Sequence, residues 1–378
     1  MRFLFHTFVN RFTMPPFCRQ VGRMTTIKEI ARKANVSVGT VSKVLTNTPY
    51  VSDETRARVL QVIAETGYKP SLVGRALSGG RTFNIGVIFP HRGADRFFSD
   101  PFYTTVLQEI ERVLSENEYN IILSAPMIPY ETAHQFQRLL GSRYLDGALT
   151  FEILTDAPLR PYLEASGVPC LSVSYHHATC DYNTLYVDDS IGARELVEHT
   201  LSLGHQRIGI IATPPATLGA WELRMGGYRA AFEAAGLDFD RVPKVYGDFT
   251  VESGRAAVDS LLQHFAPDRP TCIICFNDRM AIGAIQELQA LGLRVPDDVS
   301  VAGFDDISLA QTIHPALTTV KQPAEQLGAR AAELLLDLIR YADSGQTRLP
   351  PSVIPSWLVI RESLKPPRPQ SSRSAERG

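Results

Sequence analysis

Residues 26–47 read TIKEIARKANVSVGTVSKVLTN and contain two short helical patterns separated by a turn. Thr26 and Glu29 have the spacing of a capping box, which predicts the start of a helix. After a tight turn, Ser37 is suited to cap a second helix that runs to Leu45. Two short helices joined in this way are typical of a helix-turn-helix.

A third helix and a further short segment follow. Ser52 is predicted to cap this helix, with Asp53 and Glu54 in its first turn, where the helix dipole favours acidic residues. Gly67 is expected to end it. The segment 71–78 then predicts a brief helix, bounded by the flexible pair Gly79-Gly80.

After residue 81, short apolar runs alternate with amphipathic helices. Strands buried on both faces and separated by helices are typical of parallel βαβ units. They are too numerous for one small sheet, so an α/β body with two lobes is expected. The predicted strands are Ile85–Phe89, Ile121–Leu123, Gly147–Thr150, Leu171–Val173, Ile208–Ile211, Cys272–Phe276 and Val299–Val301. The predicted helices include Tyr103–Asn117, Gly192–Ser202, Gly226–Ala235 and Arg279–Ala290.

Charge is distributed unevenly between these parts. The 378 residues carry a formal net charge of −2, but residues 24–82 hold nine basic and four acidic residues, so that segment carries +5 and the remainder −7. A basic head on an acidic body indicates that only the head meets a polyanion. The composition, 44% apolar and 21% charged, argues against a disordered or fibrous chain. No apolar stretch is long enough to span a membrane.

The five cysteines are scattered, which suits a reducing cytoplasm. Cys272 and Cys275 have CxxC spacing but lie in an apolar run, which favours a buried strand over a zinc or redox site. The pairs at 176–177 (His-His) and 188–189 (Asp-Asp) are assigned to different loops, so no metal site is expected. No cofactor is expected either.

The two ends of the chain differ in composition from the rest. Residues 1–23 are rich in arginine and lack acids, which is compatible with a transit peptide but favours an upstream start-codon assignment, with Met24 as the real beginning. Residues 365–378 are rich in Pro, Ser and Arg and are predicted to form a disordered tail.

The segment 26–47 resembles, almost position by position, the head of the lactose/galactose-repressor (LacI/GalR) family. The match continues through VSDETR at 51–56, GYKP at 67–70 and Arg75–Leu77. Further family signatures stand in the body at 203–211, 247–254, 277–283, 295–306 and 315–319. The resemblance implies a dimeric transcription repressor with a helix-turn-helix head, a hinge helix and a two-lobed body of the periplasmic sugar-binding fold.

The resemblance assigns base reading to Val38, Gly39 and Lys43. Lys43 is predicted to donate to a guanine edge and Val38 to pack on a thymine methyl, whereas Gly39 offers no side chain. Leu77 matches the leucine that hinge helices insert into the minor groove. In this hinge Gly74 replaces the usual alanine, which predicts either a helix that is harder to order without DNA or a substitution that the hinge tolerates. Phosphate contacts are implied for Thr26, Ser37, Thr40, Ser42 and Asn47.

For the body, the resemblance implies an effector site in the cleft between the lobes, beyond the carboxyl ends of the strands. Arg224 and Asp305 match the family's ligand arginine and ligand carboxylate. Positions that line the cleft are matched by Phe102 and Phe249, and weaker candidates are Asn277 and Trp221. Ordinary packing accounts equally well for Phe102 and Trp221. Asp278 is predicted to cap a helix.

The expected organisation is a leader (1–23), a helix-turn-helix domain (24–70), a hinge and linker (71–82), an effector-binding and dimerisation body (83–364) and a tail (365–378). The chain is expected to cross between the lobes near 183–187, 314–322 and 345–352. A dimer rather than a tetramer is expected because the chain ends in a Pro/Ser tail and not in a leucine heptad.

The expected function is that of a non-enzymatic, cytoplasmic regulator at the nucleoid that binds a palindromic DNA operator as a homodimer. A small molecule, expected to be a sugar, controls its affinity for DNA, although the family's purine-sensing branch leaves that class open. One alternative is a secreted sugar-binding protein without DNA function, which would need a signal peptide and no basic head. A second is a Rossmann-type enzyme, which would need G-x-G-x-x-G after the first strand, where FPHRG stands at 89–93.

Overall fold

The structure, a computed structural model, describes residues 25–45, 48, 50–68, 81–89, 99–124, 140–141, 144–151, 165–173, 183–215, 220–342, 345 and 348–368. The chain divides into two compact units, with the boundary between Thr82 and Phe83. The predicted leader, the hinge segment 71–78, Asn47 and Leu77 all lie outside the described residues.

The head contains three helices, α1 (Ile27–Lys33), α2 (Val38–Leu45) and α3 (Asp53–Thr66). The predicted capping box of Thr26 and Glu29 is present, and Ser52 caps α3. Gly67 ends α3 in the left-handed conformation, at a φ of 60°. The core of the head consists of Ile30, Ala31, Ala34, Val41, Val44 and Val59. The sequence prediction for the head is therefore confirmed.

The elements of the body, in chain order, are β1 (Asn84–Ile88), α4 (Pro101–Glu116), β2 (Asn120–Ser124), β3 (Gly147–Phe151), β4 (Cys170–Val173), β5 (Thr184–Asp188), α5 (Asp189–Ser202), β6 (Ile208–Ala212), α6 (Ala220–Ala234), β7 (Lys244–Tyr246), α7 (Val251–Phe265), β8 (Cys272–Cys275), α8 (Asp278–Ala290), β9 (Ser300–Ala302), β10 (Thr319–Lys321), α9 (Ala324–Ala342), β11 (Ser352–Pro355) and β12 (Trp357–Val359). The predicted strands match observed strands to within one residue at each end.

The body has two lobes, each built on a parallel sheet. In the first lobe the strand order is β11-β5-β4-β3-β1-β2, and α4 and α9 pack into its core. In the second lobe the order is β7-β6-β8-β9, and α5 to α8 contribute to its core. Every residue of β6 and β8 is buried, which explains their continuous apolar sequences. Within the described residues, no helix is long and apolar enough to cross a membrane.

The chain passes between the lobes three times. It does so at Asp188-Asp189, between Lys321 and Ala324, and between Pro355 and Trp357. The first and third passages lie slightly after the predicted positions near 183–187 and 345–352, because β5 and β11 first complete the sheet of the first lobe. A small antiparallel pair, β10 and β12, stands beside the last two passages.

The prediction of a disordered tail from residue 365 is wrong for its first four residues. The carbonyl of Lys365 accepts hydrogen bonds from His205 Nε2 at 2.8 Å and Ser300 Oγ at 3.1 Å. Arg368 forms an ion pair with Asp297 at 2.7 Å. The backbone of Lys365 and the side chain of Arg368 thus find partners on the second lobe, which composition does not reveal. Residues 369–378 lie outside the described part of the chain.

Candidate functional site

The outer face of α2 is the candidate DNA-reading surface. Val41 and Val44 are buried on the opposite face, whereas Val38 is 41% exposed and Gly39 and Lys43 are also exposed. The helix therefore has a core face with Val41 and Val44 and an outward face with Val38, Gly39 and Lys43. The roles of these residues in reading bases remain predictions.

The hydroxyl groups predicted to contact phosphates also organise the helix starts. Ser37 Oγ accepts a hydrogen bond from the backbone N–H of Thr40 at 3.0 Å, and the two hydroxyl groups are 2.9 Å apart. Thr26 caps α1. Contact of these hydroxyl groups with DNA phosphates remains a prediction. Ser42, on α2, is half-buried.

In the body, Arg224 on α6 is the centre of a buried polar cluster. Its Nε donates to Asp189 Oδ2 at 2.8 Å and its Nη2 to Asp305 Oδ1 at 3.4 Å. Its Nη1 donates to the carbonyl of Phe276, and the guanidinium carbon lies 3.9 Å from the ring centre of Phe304. The structure therefore brings together Arg224 and Asp305, the two predicted ligand residues.

Asp305 follows β9 in a constrained backbone conformation. Its φ of 111° is uncommon for a residue with a side chain and is typical of functional sites. The backbone N–H of Asp305 donates to the carbonyl of Val320 at 2.8 Å. Gln322 Nε2 donates to Asp305 Oδ1 at 2.9 Å. These contacts fix the carboxylate at the carboxyl end of the second sheet, where ligands bind in parallel sheets.

The cluster contains carboxylates whose charged forms are costly. Burial raises the pKa of Asp189, while Arg224 opposes that rise. Burial also raises the pKa of Asp305 well above its ordinary value, against the influence of Arg224 and with repulsion from Asp100. Although burial opposes its charged form, Asp189 and Asp305 raise the pKa of Arg224. The guanidinium therefore stays charged.

The three aromatic candidates lie on separate segments of the body. Phe102, near the start of α4, is 7% exposed and packs edge-on against Tyr103 in the core of the first lobe. Phe249 precedes α7 and is half-buried, with a φ of 69°. Trp221 on α6 donates its Nε1–H to the carbonyl of Thr213 at 3.0 Å. Each has a packing or structural role, and their contact with an effector remains a prediction.

Asn277 caps α8, and the prediction that Asp278 would do so is wrong. Asn277 Oδ1 accepts from the backbone N–H of Met280 at 2.9 Å, and its Nδ2 donates to the carbonyl of Phe249 at 3.1 Å. Asp278 is the first residue of α8 and is completely buried. Its carboxylate accepts from the backbone N–H of Ile307 at 2.9 Å and from the hydroxyl of Thr319. Asp278 therefore fastens the loop that carries Asp305.

The sequence does not reveal Asp189 as a site residue, because residues 188–189 are predicted to lie in a loop. Asp188 instead ends β5 and caps α5 by accepting from the N–H of Ser190 at 3.0 Å, and Asp189 is the first residue of α5. An acidic pair between a strand and a helix was the available signal. The burial of Asp189, at 2% exposure, and its pairing with Arg224 depend on tertiary structure.

Comparisons with known proteins agree with this architecture. The family described as "Bacterial regulatory proteins, lacI family" matches residues 26–71, and the "Periplasmic binding protein-like domain" matches residues 197–364. The HTH-type transcriptional regulator CelR of Thermobifida fusca is 34% identical over 346 residues, which are 90% of this chain and 98% of CelR. The chain belongs to the LacI family.

Solved structures extend the similarity of this LacI-family regulator to the whole fold. A CelR–cellobiose complex is 32% identical, with a TM-score of 0.67, and the match covers 90% of this chain and 99% of that one. The Lac repressor dimer bound to operator and the anti-inducer ONPF is 27% identical, with a TM-score of 0.77, over 91% of this chain and 100% of that one. The family match over the head favours a DNA-binding regulator over a sugar-binding protein without DNA function.

Proposed function

We propose that this LacI-family regulator is a repressor that binds a pseudo-palindromic operator as a homodimer, with one head on each half-site. Binding of a sugar between the lobes alters its affinity for the operator. The protein acts in the bacterial cytoplasm, at the nucleoid, without catalysing a reaction.

The exposed start of α2 supports the DNA-binding part of the proposal. Val38, Gly39 and Lys43 face outward while Val41 and Val44 anchor the helix in the core. A helix can read base edges in the major groove only with such an outward face. The Lac repressor dimer, whose fold this chain shares, is bound to its operator.

The effector part is supported by the cluster around Arg224. A planar guanidinium and nearby carboxylates can pair neighbouring hydroxyl groups of a sugar, and aromatic side chains can pack on its ring. In this chain Arg224 and Asp305 supply the hydrogen-bonding groups. The candidates for packing on the ring are Phe102, Trp221 and Phe249. The solved CelR complex contains cellobiose, which favours a sugar over a purine for this chain.

The test is selection of fragmented genomic DNA by the purified full chain at near-physiological salt, followed by sequencing. We expect enrichment of a short palindrome beside transport or catabolic genes. The control is Gly39→Glu, because among the described residues a Cβ at this position would meet only Ser37 Oγ, at 3.6 Å. Its negative charge would repel the phosphate backbone.

Equal enrichment by the wild type and Gly39→Glu would contradict the assignment of α2. If the wild type enriches nothing, the selection is repeated with cell-extract metabolites to supply a co-repressor. If this second selection also enriches no sequence, the proposed function is contradicted.

A further inference from the structure

Three buried polar atoms near the effector cluster accept or donate no hydrogen bond within the described residues. They are Asp189 Oδ1, Tyr228 Oη and Thr213 Oγ1. Asp189 bonds Arg224 through its other oxygen, Tyr228 lies one turn along α6 from Arg224, and Thr213 follows β6. An unpartnered buried polar group costs free energy, so such groups indicate a missing partner.

Carboxylates outnumber guanidinium groups at the same place. Asp189 and Asp305 both pair with Arg224, and the charge of Asp100 also reaches Arg224 and Asp305. Arg279 on α8 also interacts electrostatically with Asp100 and favours its ionised form. Each nitrogen of Arg224 donates one hydrogen bond to a protein oxygen, so two of the five N–H groups of its guanidinium remain for effector hydroxyl groups. Within the described residues, the cluster therefore sets three carboxylates, those of Asp100, Asp189 and Asp305, against the guanidinium groups of Arg224 and Arg279.

We propose that the cluster around Arg224 takes an uncharged or cationic polyhydroxy effector and excludes phosphorylated ones, with Asp189 Oδ1 accepting a hydrogen bond from an effector hydroxyl or ammonium group. The inference rests on the proposed function, in that the effector binds at this cluster. Asp189 is thereby a specificity-determining residue beside Arg224 and Asp305.

The physical reason is that a phosphate group placed beside buried carboxylates costs free energy, because both carry negative charge. In a site shielded from water, two like charges a few ångströms apart repel each other more strongly than they do in bulk water. A hydroxyl group instead supplies the donor that Asp189 Oδ1 lacks. An amino sugar would add a favourable charge interaction.

The test is thermal unfolding of the full chain with matched pairs of compounds: ribose and ribose 5-phosphate, glucose and glucose 6-phosphate, cellobiose, glucosamine and inorganic phosphate. Hypoxanthine serves as the purine probe. We expect that any sugar which stabilises the protein binds at least about tenfold more tightly than its phosphorylated counterpart.

Inorganic phosphate tests the charge argument without knowledge of the effector. In the wild type we expect no Arg224-dependent stabilisation by phosphate. In Asp189→Asn, which removes one negative charge from Arg224, we expect such stabilisation to appear, and the double variant Asp189→Asn/Arg224→Gln should lose it. The double variant also corrects for phosphate bound at the head. Asp337→Asn, on α9, is the matched control and should behave as the wild type.

Arg224-dependent phosphate binding by the wild type, or a phosphorylated sugar that binds more tightly than its parent, would overturn the proposal. So would Asp189→Asn that folds normally by circular dichroism yet gains no phosphate binding. If hypoxanthine alone stabilises the protein while the phosphate results hold, the sugar assignment of the proposed function fails and the exclusion of anions stands.

Discussion

At the scale of single residues, the body is organised around one buried arginine. Arg224 lies between Asp189 and Asp305, and its guanidinium covers the ring of Phe304. Motif matching identified Arg224 and Asp305 because each lies in a recognisable local pattern. Asp189 carries no such pattern, since its role arises only when α5 and α6 pack together. A residue that lies in a sequence motif can therefore be predicted, whereas a residue whose role depends on a spatial contact cannot.

Replacement of Arg224 by glutamine should destabilise the body. Arg224→Gln leaves Asp189 and Asp305 buried without their counter-charge, and breaking a buried pair in this way costs on the order of 3–5 kcal/mol. Denaturant unfolding measures the loss. Adding Asp189→Asn should recover part of it. The exposed pair of Arg229 and Asp240 provides the control, since Arg229→Gln should leave stability unchanged. Equal losses in the two single variants would contradict this account of the cluster.

Lys43→Ala should relax sequence preference at one position of each half-site. A side chain that donates to a guanine edge contributes about 1–3 kcal/mol of discrimination, so its removal should level the affinities of operators that differ at that base pair. Base-by-base operator substitution measures this effect. The exposed Lys33 on α1 is the control, because Lys33→Ala should change affinity equally for all sequences. An unchanged base preference at every position in Lys43→Ala refutes the assignment.

Among the helices and strands, features that depend on nearby residues could be predicted from the sequence, whereas pairings between distant segments could not. Thr26, Ser52 and Gly67 mark helix ends through contacts within a few residues, so their roles could be predicted. The short strands β10 and β12 hold three residues each and pair across more than thirty intervening positions. Strand β5 was likewise not predicted, because its sequence TLYVD mixes polar with apolar residues. These strands form through partners that the local sequence does not show.

Close packing of α7 and α8 depends on two glycines. A Cβ at Gly254 would overlap the backbone carbonyl of Met280, and a Cβ at Gly283 would overlap that of Val251. Gly254→Ala and Gly283→Ala should each lower the free energy of unfolding by on the order of 1–3 kcal/mol through overpacking. Gly226 on α6 faces open space, so Gly226→Ala should raise stability by about 0.4–1 kcal/mol. If all three variants shift stability in the same direction, this explanation is wrong.

Asp278 should make the stability of the body depend on pH. Burial raises its pKa from 3.8 to about 7, so between these values the native state keeps a proton that the unfolded chain has lost. This contribution is complete below about pH 4 and disappears as pH rises through about 7. In Asp278→Asn, whose amide can keep both hydrogen bonds, that decline should vanish.

The measurement is denaturant unfolding of the wild type and Asp278→Asn from pH 5 to 8. The exposed Asp259 on α7 provides the control, since Asp259→Asn should show the wild-type slope. A wild-type slope in Asp278→Asn as well would show that Asp278 does not titrate in this range.

At the scale of the whole molecule, the sequence predicted a basic head and a two-lobed body of parallel sheets, and both are present. A regulator of this kind requires the effector to bind two conformations of the body with different affinity, since equal affinity would shift nothing. The loop that carries Asp305 is joined to β10 through Val320, close to a passage between the lobes. An effector that contacts Asp305 would therefore act on the segment that connects the two lobes.

The most direct test of the account is operator binding by the full chain with and without its effector. The operator comes from the genomic selection, the effector is the sugar that stabilises the protein, and fluorescence anisotropy gives the Kd for DNA. We expect the sugar to change that Kd by about 5- to 150-fold in the wild type and to leave it unchanged in Asp305→Asn. A sugar that binds the wild type without altering its affinity for the operator, or that alters it equally in Asp305→Asn, would contradict the account.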